Sequence, residues 1–165
     1  MIPEGARLRT AEPRDVVAIW GLVLELAAYE RLSDAVDGTA ERLSEHLFGP
    51  RPAAEALVAE VEDVVVGYAL FFTTYSTFRT SPGLWMEDLY VTPPFRGQGL
   101  GQALFAQVAA IAVARGAARH EWSVLEWNAP AIGFYESLGA PVLSDWRICR
   151  LDGGALEKVA AQPTS

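Results

Sequence analysis

The segment Arg96-Gly97-Gln98-Gly99-Leu100-Gly101 lies between a strand pattern and a helix pattern. Its glycines remove side chains where the backbone must turn tightly and let N–H groups face outward. The N-terminus of the helix that follows adds partial positive charge, and together these features build a cradle for phosphate oxygens. Arg96 adds a full positive charge. No Gly-Lys-Ser/Thr follows, so this is not a Walker A loop, and the glycine spacing is a poor dinucleotide fingerprint. A ligand-free strand-to-helix connection needs glycine too, so the turn alone is a weak signal. Two further features give it weight. The acidic pair Glu87-Asp88 lies one strand upstream, and the segment from Asn128 to Gly139, with Tyr135 inside it, lies one strand and helix downstream. Taken singly, Glu87 and Asp88 read as solvated carboxylates at a strand end, and Tyr135 reads as a core aromatic beside Phe134.

These positions hang on a regular succession of elements. Arg7–Thr10 reads as a short strand, and Pro13 suits a helix N-terminus because its missing N–H would be unpaired there anyway. Val16, Ile19, Trp20, Val23, Leu26 and Ala27 recur at helical spacing, giving an amphipathic helix to about Tyr29. Thr39 can cap a second helix that stops at Gly49-Pro50. Ala56–Glu60 and Val64–Thr74 read as strands joined by a turn at Glu62-Asp63, and Leu84–Val91 as a third. Leu104, Phe105, Val108, Ile111 and Arg115 mark a helix ended by Gly116. A strand at His120–Leu125, a helix from Pro130 to Leu138 and a last strand at Trp146–Leu151 complete the order β-α-α-β-β-β-α-β-α-β. The expectation is one domain over 7–152 and a short tail over 153–165.

The 165 residues suffice for one domain with a sizeable core, and 51% of them are hydrophobic. The net charge of −8 argues against nucleic acid or an anionic membrane as the main partner, since both reward Lys and Arg. It suits a cationic partner, and it also serves solubility alone. The lone Cys149 cannot form an internal disulfide, and it reads as a buried strand residue. His46 and His120 stand in no metal-ligand spacing, so no metal is expected. No apolar run reaches membrane-spanning length, and the cytoplasm is expected.

The turn, the acidic pair and the 128–139 segment together resemble the GNAT superfamily of N-acetyltransferases. That family's pyrophosphate motif, Arg/Gln-x-x-Gly-x-Gly/Ala, is matched by Arg96, Gly99 and Gly101. The diamine (spermidine/spermine) acetyltransferase branch is resembled further. Glu25-Leu26-Ala27-x-Tyr29-Glu30, Glu87-Asp88, Glu126-Trp127-Asn128, Phe134-Tyr135 and Trp146-Arg147 carry that likeness in order along nearly the whole chain. The resemblance implies an α/β GNAT acyltransferase fold: a mixed, mostly antiparallel sheet with splayed central parallel strands, flanked by helices. It also implies acetyl-CoA as co-substrate, bound where the strands Leu84–Val91 and His120–Leu125 part. Leu89 and Val91 would meet the pantetheine arm through their backbone, Arg96, Gly97, Gln98, Gly99, Gly101 and Gln102 the pyrophosphate, and Asn128 the cofactor arm.

By the same likeness Glu87 stands at the general-base position and Tyr135 at the general-acid position for the leaving thiolate. Tyr29, Glu30, Asp88 and Trp146 would hold a small cationic amine, and a homodimer is expected. The transfer would be direct, in a ternary complex. One stretch departs from the branch. Its Asp-Pro-Trp before the acidic pair is replaced here by Ser76-Thr77-Phe78, followed by the cation Arg79. A small diamine, a thialysine-like amino acid or a lysine side chain then fits at least as well as a polyamine. The competing readings are a protein N-acetyltransferase acting on a chain terminus, and a non-catalytic acyl-CoA-binding module.

Overall fold

In a computed structural model, residues 2–162 are described, and they fall into two compact units, one up to Ser123 and one from Val124 onward. The first holds a five-stranded sheet in the simple order β1-β2-β3-β4-β5. Its strands are β1 (Ala6–Thr10), β2 (Glu55–Val61), β3 (Val64–Ser76), β4 (Ser81–Val91) and β5 (His120–Trp122). The first four pair antiparallel and β5 joins β4 in parallel. The helices of this unit are α1 (Val16–Tyr29), α2 (Ala40–Phe48) and α3 (Leu100–Ala114).

Local chemistry accounts for most boundaries. Pro13 opens a 3-10 turn that runs directly into α1. The Thr39 hydroxyl accepts from the Arg42 N–H at 3.2 Å and so caps α2, as its residue type foretells. Glu62 and Asp63 both take positive φ (50° and 64°), the conformation of a tight two-residue hairpin.

The sheet is covered on both faces. Ile19 and Leu22 of α1 and Leu47 of α2 bury themselves against Ala56, Val58, Tyr68 and Tyr90. The alternate strand residues serve the other face, where α3 brings Leu100, Leu104, Val108 and Ala112 onto β2, β3 and β4. At the far edge Arg9 grips both oxygens of buried Asp15, at 2.6 and 2.7 Å, and also pairs with buried Glu60. Arg9 pulls both carboxyls below the usual carboxylate range, in spite of burial.

The second unit holds α4 (Ala129–Ser137) and α5 (Gly153–Ala160). Two expectations are corrected here. Trp146–Leu151 is not a strand: the alternating pattern is present, but the described residues of this unit contain no strand edge to pair it with. Cys149, expected to be buried, is exposed for the same reason. α5 lies within the segment 153–165 that was expected as a short tail.

Candidate active site

β4 positions the acidic pair through a break in its own register. Phe71 of β3 faces Met86 while the preceding Leu70 faces Asp88, so Glu87 is an extra residue on β4. Such a bulge shifts the alternation by one, and a shift of one exchanges the faces of a strand. Met86 therefore lies with Phe71, toward the α3 side. Asp88 and Tyr90 lie with Leu70 and Tyr68, toward α1. An unbroken strand would have put Met86 and Asp88 on one face.

The two carboxylates consequently differ. Glu87 is exposed, and its Oε2 accepts from the Trp85 indole N–H at 2.9 Å. Asp88 is half-buried, and its Oδ2 accepts from the Tyr68 hydroxyl at 2.8 Å. Burial pushes the Asp88 carboxyl up to about 6, the Tyr68 hydrogen bond opposes the rise, and the negative charges of Glu87 and Glu30 add to it. Glu30 closes α1, and its own carboxyl is raised by burial. On the same face Tyr90 donates to Glu25 of α1 at 3.2 Å. Acidic groups of α1 and β4 thus gather at one place beside Tyr29.

Arg96 joins this cluster. Its guanidinium lies over the rings of Tyr29 and Tyr90, with centroids 4.9 and 5.1 Å away, and its Nε donates to the Val91 carbonyl at 2.8 Å. The expected phosphate partner is therefore also a tie between the glycine turn, β4 and α1. Gln98 likewise turns back on its own loop, donating from Nε2 to the Pro94 carbonyl at 3.0 Å.

The turn itself fits a pyrophosphate. Gly97 and Gly99 take positive φ, 72° and 81°, a region that side chains disfavour. Gly99 is the N-cap of α3, no side chain caps this end, and the first turn holds no acidic residue. The N–H groups of Leu100, Gly101 and Gln102 have no partner inside the helix by its geometry. A Cβ added at Gly97 would meet nothing within 4 Å, so the surface above the turn is open. Beside it, β4 offers a backbone edge. The parallel pairing with β5 stops at Met86↔Trp122, while β4 runs on to Val91. Ala69 and Gly67 of β3 stand opposite Leu89 and Val91 in the register on the other side. An extended ligand can add itself to such an edge as a strand would.

Asn128 is the N-cap of α4, and its Oδ1 accepts from the Ala131 N–H at 3.3 Å. Tyr135 lies on α4 with its ring 5.2 Å from that of Phe134. Trp146 is exposed, in the stretch without regular structure. The first unit therefore brings together Tyr29, Glu30, Glu87, Asp88, Leu89, Val91 and the glycine turn, while Asn128, Tyr135 and Trp146 belong to the second.

Sequence reasoning missed Tyr68, Tyr90 and Trp85. A tyrosine inside the otherwise apolar run Val64–Phe72 was the available signal, because a buried hydroxyl needs a partner.

A model of the acetyltransferase (GNAT) family matches residues 25–140, which include the acidic pair, the glycine turn and α4. The thialysine N-epsilon-acetyltransferase of Bos taurus is 36% identical, over 94% of this chain and 97% of its own. The L-ornithine N5-acetyltransferase NATA1 of Arabidopsis thaliana is 33% identical, over 93% of this chain and 87% of its own. An integron cassette protein from V. cholerae shares the fold with a TM-score of 0.81 at 24% identity, over 97% of this chain and 100% of its own. The chain belongs to the GNAT family. It is an N-acetyltransferase, and acetyl-CoA is the acetyl donor in that family.

Proposed function

We propose that this enzyme acetylates a primary amine of a small cationic substrate, a diamine or polyamine, thialysine or a lysine-like compound, by direct transfer in a ternary complex. The observation that carries the reading is the carboxylate cluster of Glu30, Glu87 and Asp88, with Arg96 drawn aside onto Tyr29 and Tyr90. The amines in the names of the bovine and Arabidopsis relatives support it. The family match across both units supports one catalytic domain over 7–152. An exposed lone thiol suits a reducing compartment such as the cytoplasm. A homodimer rests on the family likeness alone.

Acetyl-CoA would supply the acetyl group, a C–N bond to the amine forming as the thioester C–S bond breaks and CoA leaves. The chain does the rest. The N–H groups of Leu100 to Gln102, with Gly97 and Gly99, hold the pyrophosphate, and the backbone of Leu89 and Val91 holds the pantetheine arm. Asn128 serves that arm by its motif position. Asp88, Glu30, Tyr29 and Trp146 hold the ammonium. A lysine-like amine has a pKa of about 10.4 and must shed a proton before it attacks. Exposed Glu87 takes that proton, directly or through water. By their motif positions, a backbone N–H near Leu89 would donate to the acetyl oxygen, and the Tyr135 hydroxyl would supply a proton to the leaving sulfur.

The test is release of CoA by purified protein over a panel of amines. Short diamines and lysine analogues should be acetylated at least as well as spermine. A strong preference for spermine over every short amine would contradict the substrate reading, and reaction of peptide N-termini alone would make this a protein N-acetyltransferase.

A further inference from the structure

Tyr68 lies outside every motif that marks the site. Its ring is fully buried on the α1 side of the sheet, opposite Tyr90 on the neighbouring strand. Its hydroxyl must be satisfied there, and the partner it reaches is Asp88 Oδ2, at 2.8 Å. Burial and the Asp88 charge drive the Tyr68 hydroxyl well above its ordinary value, so it remains a donor throughout the working pH range. The bond depends on the Glu87 bulge, which turns Asp88 to the Tyr68 side of β4.

We infer that Tyr68 is a positioning residue for amine recognition: its hydrogen bond fixes Asp88 with Oδ2 occupied, leaving Oδ1 to accept from the substrate ammonium. This rests on the reading of Asp88 as an ammonium-binding carboxylate. The surroundings explain why a donor is needed. Asp88 is half-buried and faces two other carboxylates, Glu87 on its own strand and Glu30 at the end of α1. Glu25 of α1 is bonded to Tyr90, and Arg96 of the turn is held by Tyr29, Tyr90 and Val91. Tyr68 is the group whose hydrogen bond favours the charged form of Asp88. A neutral carboxyl would be a poor counter-ion for an ammonium. Tyr68 thereby extends amine binding to lower pH.

Tyr68→Phe keeps the ring and its packing and removes only the donor. A hydrogen bond to a charged group is worth about tenfold or more in an equilibrium constant. The KM for a short diamine should therefore rise about tenfold, with kcat and acetyl-CoA affinity within about twofold of wild type. Loss of the opposing bond lets the Asp88 value rise, so the acidic limb of kcat/KM should move to higher pH. In an Asp88→Asn background the same change should add little, because the pair acts as one unit. An equal rise of KM in both backgrounds would make Tyr68 a packing residue and overturn the inference, as would an unmoved acidic limb. Titration of the Asp88 carboxyl by 13C NMR in wild type and Tyr68→Phe needs no turnover. If wild type acetylates no amine the functional reading fails, and an Asp88 titration that does not move sinks the Tyr68 inference separately.

Discussion

Gly101 offers the cleanest separation of fold from cofactor binding. It lies in the first turn of α3 without a positive φ, and a Cβ built there would come to 3.9 Å from Val91 Cγ2, an ordinary contact. The fold therefore has room for a side chain at this position. Alanine is preferred over glycine in a helix by up to ~1 kcal/mol. Gly101→Ala should accordingly melt up to about 2–4 °C above wild type, and Gly101→Val should be no less stable than wild type by more than a few degrees. Cofactor binding should move the other way. The backbone at Gly101 is part of the uncapped N–H surface proposed to hold the pyrophosphate. A valine there holds the phosphates off at least two of those N–H groups. Hydrogen bonds to charged groups are worth about 1.5–3 kcal/mol each, so the loss is about 3–6 kcal/mol, or roughly 10²–10⁴-fold in Kd. Calorimetric titration with acetyl-CoA reads the affinity, and a thermal melt of the same sample reads the fold. A folded Gly101→Val protein with wild-type affinity for acetyl-CoA would remove the basis of the phosphate cradle.

Tyr135→Phe deletes the hydroxyl assigned to protonate the leaving sulfur, and turnover should fall by roughly 10²–10⁴-fold while acetyl-CoA affinity and melting temperature change little. Near-normal turnover in steady-state assays would make Tyr135 a packing residue. Arg9→Met leaves the buried Asp15 carboxylate without its guanidinium partner and Glu60 with Arg7 alone, and should cost about 3–5 kcal/mol of unfolding free energy at pH 7 by urea titration. Both carboxyls are held below their ordinary value in the folded protein. The stability they contribute is full above about pH 4–5 and falls as pH drops through the folded values. The deficit of Arg9→Met should shrink in acid, and a deficit that stays constant from pH 7 to pH 3 would contradict the assignment.

Much of this protein was determined locally. The cap at Thr39, the turn at Glu62-Asp63, the period of α1 and the tight glycine turn before α3 are each set by residues a few positions apart, so the sequence alone shows them. The family likeness reached further, because spaced motifs in one order survive where any single motif is ambiguous. The tertiary structure decided what depends on a second strand. The alternation of β4 gives no sign that Glu87 is an extra residue, since a bulge is a property of the pair β3–β4 and not of β4 alone. That one insertion separates exposed Glu87 from half-buried Asp88 and turns Asp88 to Tyr68. Arg96 was legible as a charge beside a phosphate turn, whereas its seat on Tyr29 and Tyr90 required the folding of α1 onto the sheet. Trp146–Leu151 fails for the converse reason. Its residues alternate as a strand's do, but a strand is completed by hydrogen bonds to an edge, and an edge belongs to the fold rather than to the segment.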